Sequence, residues 1–255
     1  MNSLILAAGT GSRLSPYTDN CPKALVKLAD KPLLQYQLDV FKNFGIKNIA
    51  LVTGYLSEHF MPYNIRLFTN QLFRESNMLF SLMTAKELFK QEEDLIISYG
   101  DIIYERQVLE KLVKSEGEIV VSADSAWSSL WSLRMDDPLS DAESFLYNAS
   151  NQKLLSLGKK ISHYDEAQAQ YIGLIKIKGS ALSSVLETYN QLPQVMTKNM
   201  YLTDFIMILI ERSFDVRVSL HTRGWLEVDT SEDLNCYQNM LQDKLFERLG
   251  YNPNL

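Results

Sequence analysis

Leu4-Ile5-Leu6-Ala7-Ala8-Gly9-Thr10-Gly11-Ser12-Arg13-Leu14 is the stretch that decides the fold. An unbroken apolar run, Leu4–Ala8, leads straight into two glycines. Such a run reads as a strand buried on both faces, and the glycines turn it into a loop. Strands of that kind belong to sheets covered by helices. The chain beyond repeats the pattern. Asn48–Thr53, Ile65–Thr69, Asp94–Ser98 and Glu118–Ser122 read as strands. Pro32–Phe44, closed by Gly45, Met78–Phe89, headed by Asn77, and Gln107–Lys114 read as helices. This alternation predicts an α/β protein with a largely parallel central sheet flanked by helices on both faces, and the fold class expected for the whole chain is α/β with a mixed, mostly parallel sheet. Ligands of such sheets bind at the carboxyl ends of strands, so chemistry is expected just after Ala8, Thr53, Thr69 and Ser98.

The second half is less regular. Trp127 to Tyr147 shows no clear period. Lys153–Leu157, Tyr171–Ile177, Val216–Leu220 and Trp225–Val228 read as strands. Gly179–Gln191, Thr203–Arg212 and a terminal amphipathic helix Ser231–Leu249 complete the pattern. No repeat or long linker divides the chain, which predicts one domain over 1-255. The 46% hydrophobic and 22% charged fractions exclude disorder. Lys+Arg number 25 and Asp+Glu 31, a net charge of −6, which argues against a nucleic-acid partner. Cys21 and Cys236 cannot form a disulfide framework, and His59, His163 and His221 show no metal-ligand spacing. No apolar run approaches the ~18 residues of a membrane span, and the N-terminus lacks a signal peptide's basic start. A cytoplasmic protein without a membrane partner is expected.

Three readings compete for the glycine loop. A dinucleotide fingerprint needs glycine where Arg13 stands, and Pro16 opposes the helix that should follow, although Asp30 lies at the distance of a ribose acid. A P-loop needs Gly-Lys-Ser/Thr, which is absent. A nucleoside triphosphate loop needs close backbone amides and cations. Arg13 supplies a planar fork and Lys23, behind Pro22, a point charge. An ordinary turn with two solvated cations is the bland alternative.

The run Leu6-Ala7-Ala8-Gly9-Thr10-Gly11-Ser12-Arg13-Leu14, with Pro16, Thr18 and Pro22-Lys23-Ala24-Leu25, resembles the signature of the nucleotidyltransferases that activate sugar phosphates and phosphocholine. Tyr99-Gly100-Asp101 is similar to that family's first metal-binding acid, and Trp225-Leu226-Glu227-Val228-Asp229-Thr230 to its second. Leu157-Gly158-Lys159-Lys160 resembles its Glu-Lys-Pro element, with Lys159 for Glu and Ile161 for Pro. The resemblance implies a single-domain, Rossmann-like (GT-A-like) nucleotidyltransferase fold, with a nucleotide-binding half in 1-122 and an acceptor-binding half in 123-255. It implies Mg²⁺ held by Asp101 and Asp229, and catalysis by Lys23, Arg13 and Lys160. Nucleotide contacts are expected from Leu6, Ala7, Ala8, Gly9, Thr10, Gly11, Ser12, Arg13, Lys23, Asn77, Ser81 and Gly100. Asn77 reads equally well as a base contact or as a helix cap, Asp101 as part of a Gly-Asp turn, and Asp229-Thr230-Ser231 as a cap.

The segment from Trp127 to Asp141, Tyr171-Ile172-Gly173-Leu174 and Met200-Tyr201-Leu202-Thr203-Asp204-Phe205 resemble the phosphocholine cytidylyltransferase-like branch, which includes phosphoglutamine cytidylyltransferase-like enzymes. That branch implies transfer of CMP from CTP to a small phosphorylated acceptor, with release of pyrophosphate, for capsule or lipopolysaccharide biosynthesis. Aromatic faces beside acids hold ammonium groups, so Trp127, Trp131, Tyr171, Asp204, Trp225 and Glu227 are the expected acceptor contacts, with Lys160 on its phosphate and Arg134 on a carboxylate. Trp127 and Trp131, four apart, also read as one core-facing ridge. A sugar-1-phosphate nucleotidyltransferase using UTP or dTTP, and an inactive nucleotide-binding regulator, are the alternatives. Monomer and homodimer both remain open.

Overall fold

Strand Asn2–Ala7 lies inside a nine-stranded sheet, between Asn48–Thr53 and Leu95–Tyr99, parallel to both. The computed structural model describes residues 1–90 and 92–252. Across the sheet the strands run Arg66–Thr69, Asn48–Thr53, Asn2–Ala7, Leu95–Tyr99, Gln170–Ile177, Ile119–Asp124, Val216–His221, Lys153–Lys160 and Glu143–Asn148. Gln170–Ile177 and Lys153–Lys160 are antiparallel to their neighbours and the other seven strands share one direction. The sheet is therefore mixed and mostly parallel. Connections leave Asn2–Ala7 on one side and return on the other, which opens a crevice at its carboxyl end.

Alternation along each strand feeds two cores. Ile5, Leu51, Ile96 and Val120 face one layer, with the helices Leu33–Phe44, Arg106–Lys114, Trp127–Arg134 and Ser231–Gln242. Leu4, Leu6, Val52, Ile97 and Val121 face the other, with Met78–Thr84, Gly179–Asn190 and Leu202–Glu211. Helix Leu33–Phe44 stops where Gly45 takes a left-handed conformation (φ 90°) and returns its N–H to Lys42 and Phe41.

Three expectations are corrected. The Trp127–Tyr147 region is ordered, as helix Trp127–Arg134 and edge strand Glu143–Asn148. Its buried side chains, Trp127, Leu130 and Trp131, share one face with Ser129 and Ser132 exposed opposite, but two turns are too short for the period to stand out in the sequence. The helix after Asn77 ends at Thr84 and gives way to a 3₁₀ turn, Lys86–Lys90. The terminal helix breaks after Gln242, where Lys244 takes φ 57°, and a short turn Phe246–Leu249 follows.

Candidate active site

The loop after Asn2–Ala7 forms the floor of a cavity of about 270 Å³. Leu6, Ala7, Ala8, Gly9, Gly11, Ser12, Arg13, Lys23, Asn77, Ser81, Gly100, Asp101 and Asp229 line it. All but Thr10 of the expected nucleotide contacts are thus brought together, with both expected metal acids. Gly11 takes a left-handed φ of 66°, and a Cβ there would lie 2.8 Å from Cβ of Lys23. Glycine is needed at that point to admit the lysine. A Cβ on Gly100 would meet the Leu6 carbonyl oxygen at 2.7 Å, so the turn carrying Asp101 closes directly on the central strand. A larger depression, about 1140 Å³, opens at the other end of the strands, around Lys42, Lys47 and Arg66. It has neither a carboxylate nor a glycine loop of this kind, so volume does not decide the site.

Residues from three distant parts of the chain meet at the centre. Pro22 leads into a 3₁₀ turn, Lys23–Leu25, that turns the lysine inward. Its Nζ lies 2.7 Å from Asp101 Oδ2 and 2.7 Å from Asp229 Oδ1. Arg13 Nη1 lies 2.6 Å from Asp229 Oδ2 and is otherwise exposed. The two aspartates meet because Ile102–Tyr104 and Trp225–Glu227 pair as a small antiparallel ladder, and Val228 N–H donates to the Asp101 carbonyl at 3.0 Å. Buried Gln37 fastens the first turn: its Nε2 donates to the carbonyls of Tyr99 (2.8 Å) and Ile102 (2.7 Å). Burial alone would lower the Lys23 pKa, but the charges of Asp101 and Asp229 hold it above its ordinary value. Lys23 is therefore a fixed ammonium.

The donor set suits a hard divalent cation. Asp101 Oδ1 is buried with no hydrogen-bond partner, and two carboxylates converge from opposite walls. Among the described residues no cluster of three or more His, Cys, Asp or Glu forms a self-contained metal cage. Magnesium needs none, since one or two carboxylates with water and substrate phosphates complete its shell.

Asn77 and Ser81 line the cavity in structural roles as well. Asn77 Oδ1 accepts the Met78 N–H at 2.8 Å, and Ser81 Oγ accepts from Asn70 Nδ2 at 2.9 Å. Phe73, Ser76, Met78 and Tyr99 line the cavity too and were not foreseen. Their signal was positional, because Phe73 and Ser76 follow the strand ending at Thr69 and Tyr99 follows Ser98.

The acceptor residues separate into two groups. Tyr171 and Tyr99 pack edge to face at 5.8 Å, in the space left by Gly173. Burial raises the Tyr99 pKa, and the charges of Asp101, Glu143 and Glu227 add to it, so these acids share its surroundings. Burial, Asp141 and Asp204 likewise raise Glu143. Glu227 is pushed up to about 7 by burial, with Asp101 and Asp229 adding and Arg134 opposing. Asp204 is exposed on the first turn of its helix, where it accepts the Tyr201 N–H. Lys160 is exposed at a strand end, opposite Glu143 in register.

The tryptophans and Arg134 sit differently from the expectation. Trp127, Trp131 and Trp225 are 4%, 4% and 2% exposed and belong to one core cluster. Their rings contact one another, Trp127 with Trp131 at 5.9 Å and Trp131 with Trp225 at 6.0 Å. Trp127 and Trp225 spend their indole N–H groups on Ala167 O and Asp124 Oδ2. The cation over Trp131 is the protein's own Arg134, 5.0 Å away. Arg134 is corrected from an acceptor contact to an internal one: its side chain is 2% exposed and fully engaged with Glu227 and Asp233. The expected aromatic cage thus reduces, in this structure, to Tyr99 and Tyr171 beside acids.

An α/β sheet with a glycine loop, an inward lysine and two facing aspartates at the carboxyl end of its strands defines a nucleotidyltransferase. Residues 3–160 match the MobA-like NTP transferase domain, and the chain belongs to that family. It is 36% identical, over 92% of its length and 98% of the relative's, to CTP:phosphoglutamine cytidylyltransferase of Campylobacter jejuni subsp. jejuni serotype O:2. It is 44% identical to choline-phosphate cytidylyltransferase of Streptococcus pneumoniae over 34% of this chain and 40% of that one. The structure of CTP:phosphocholine cytidylyltransferase from Streptococcus pneumoniae superposes with a TM-score of 0.73 at 21% identity, covering 94% of this chain and 98% of that one. That last likeness is one of fold. Among the described residues no helix is long and apolar enough to cross a membrane.

Proposed function

We propose that this nucleotidyltransferase is a Mg²⁺-dependent cytidylyltransferase that joins CMP, from CTP, to a small phosphorylated acceptor bearing an ammonium group, of the phosphoglutamine or phosphocholine kind, in the supply of a cell-surface polysaccharide precursor. The observation that carries the reaction class is Lys23 Nζ held at 2.7 Å from both Asp101 and Asp229 at the mouth of the glycine loop. A phosphate oxygen of the acceptor attacks the α-phosphorus of CTP. The bond from α-phosphorus to the oxygen bridging the β-phosphorus breaks, and pyrophosphate leaves with that electron pair. A phosphate monoester is ionised near neutral pH, so no general base is needed. The chain's work is positioning and charge neutralisation.

In this reading the amides of Gly9–Ser12 and the Arg13 fork hold the β- and γ-phosphates. Lys23 moves off the carboxylates onto the α-phosphate as charge builds there. Asp101 and Asp229 would hold Mg²⁺, which would supply positive charge to the phosphate oxygens when bound. Asn77 and Ser81 face the base. Lys160 approaches the acceptor phosphate. Glu143, beside Tyr99 and Tyr171 and with Asp204 near it, favours the ammonium end, while Glu227 is already paired with Arg134. The choice of CTP, and of an amino-acid-like or choline-like acceptor, rests on the relatives' names, and the ammonium end also on the acids gathered about Tyr99.

The test is a panel of CTP, UTP, dTTP, ATP and GTP against phosphocholine, phosphoglutamine and glucose 1-phosphate, read by released pyrophosphate. Turnover confined to CTP and an ammonium-bearing acceptor is expected. Turnover of a sugar phosphate with UTP or dTTP instead would overturn the substrate assignment. Silence with every pair would return the protein to a binding role.

A further inference from the structure

We infer that Arg134 and Asp233 form a buried clamp that positions Asp229 for the cation, which makes Arg134 a positioning residue of the reaction. This rests on the reading that Asp229 holds the metal. Arg134 Nε donates to Asp233 Oδ1 at 3.0 Å and its Nη2 to Asp233 Oδ2 at 3.2 Å, a paired fork, while its Nη1 donates to Glu227 Oε2 at 3.0 Å. The same Oδ2 of Asp233 accepts the backbone N–H of Asp229 and of Thr230, each at 3.0 Å. One guanidinium thus grips the chain two residues before Asp229 and four residues after it.

That grip leaves the Asp229 carboxylate free of its own backbone. Both of its oxygens point to Lys23 and Arg13. Asp233 would cap its helix without help, since Thr230 Oγ1 accepts the Asp233 N–H at 3.1 Å in the reciprocal pattern of a capping box. A cap needs no arginine. Burying a guanidinium at 2% exposure is costly unless its N–H groups are paired, and here they are paired to the two residues that bracket a catalytic acid. Trp131 beneath the guanidinium fixes its plane. What the arrangement provides is geometry, as groups behind a metal ligand do.

The experiment compares Arg134→Lys, Asp233→Asn and Asp229→Asn with the wild-type full chain. Mn²⁺ binding is titrated by the electron paramagnetic resonance signal of the free ion, with and without CTP, beside kcat, acceptor KM and thermal melting. Arg134→Lys and Asp233→Asn are expected to weaken Mn²⁺ roughly 10–100-fold and to lower kcat, as changes behind a ligand do, with acceptor KM within about threefold. Asp233→Asn keeps its volume and its bond to Thr230, so it decides the matter if Arg134→Lys fails to fold. Loss of Mn²⁺ binding in Asp229→Asn with wild-type binding in both clamp variants overturns the clamp and leaves the metal site standing. Unchanged Mn²⁺ binding in Asp229→Asn overturns the metal site and the clamp with it. A raised acceptor KM with unchanged Mn²⁺ affinity would place Arg134 at the acceptor and also overturn the proposal.

Discussion

Replacing Lys23 by methionine removes one charge and little volume. In the resting site that charge joins two carboxylates, each 2.7 Å away, on a side chain 15% exposed. In the proposed reaction it is the cation that meets the charge building on the α-phosphate. Removing one preorganised donor from a developing oxyanion lowers kcat by about 10²–10³-fold, or ~2.7–4 kcal/mol. A unit-charge pair ~4 Å apart in a partly buried site is worth about 4 kcal/mol, the same order. Lys23→Met is therefore expected to lose about 10²–10³ in kcat at saturating CTP and acceptor. Stability moves less. Breaking a buried pair costs about 3–5 kcal/mol, but Arg13 stays on Asp229 and Asp101 is 21% exposed, so the low end applies. At ~2–4 °C per kcal/mol for a chain of this size, melting falls by roughly 10 °C or less. The resting ammonium also competes with a metal for the same oxygens, so Mn²⁺ should bind the variant at least as tightly as the wild type. Pyrophosphate release, Mn²⁺ titration and melting curves check the three parts. Turnover within threefold of wild type would refute the assigned role. Weaker Mn²⁺ binding would refute the competition.

Asp101→Asn and Asp229→Asn should each abolish turnover, because an amide is a poorer ligand for a hard dication. EDTA should silence the wild type and Mg²⁺ restore it, and full activity in EDTA would end the metal reading. Trp131→Ala should cost ~3–5 kcal/mol of stability, as a core residue does, with acceptor KM unchanged in the folded fraction. A tenfold rise in that KM at unchanged melting temperature would return Trp131 to the acceptor site. His221 is held below its ordinary pKa of 6.5 by burial, against the charge of Asp124. Below pH ~6.5 the unfolded chain takes up a proton that the folded one refuses, so stability is full above that value and falls as pH drops toward the folded pKa. His221→Gln should flatten the loss of melting temperature between pH 7 and 5, and a slope equal to wild type would show that His221 does not carry it.

The nucleotide half was legible because its chemistry is local. A glycine loop after an apolar run, Lys23 behind Pro22, and Asp101 two residues past a strand all declare themselves within a few positions. The parallel strands did too, since burial on both faces writes an unbroken apolar run. Asp229 needed the resemblance, because nothing near it distinguishes a metal ligand from the helix cap that Thr230 and Asp233 also form. The ladder between Ile102–Tyr104 and Trp225–Glu227, which brings the two acids face to face, joins segments more than a hundred residues apart and leaves no periodic trace.

The acceptor half misled for a physical reason. A tryptophan that cages an ammonium and one that fills a core look alike in sequence, because both want apolar neighbours and a partner for the indole N–H. The same holds for an arginine on an acceptor's carboxylate and an arginine on the protein's own. Here Trp131 and Arg134 pack on each other: the cation over the ring is internal, and its carboxylates are Glu227 and Asp233. Taken singly the two residues resemble two ligand contacts; three positions apart on one helix, they form a closed unit. The acids left over, Glu143 and Asp204, form no ion pair among the described residues; Glu143 shares the surroundings of Tyr99 and Tyr171, and Asp204 those of Glu143. An ammonium group is the charge that this remainder lacks. If it is the acceptor's, Glu143→Gln should raise the KM of an ammonium-bearing acceptor several-fold and leave the CTP KM unchanged. An equal rise in both would place Glu143 outside the acceptor site.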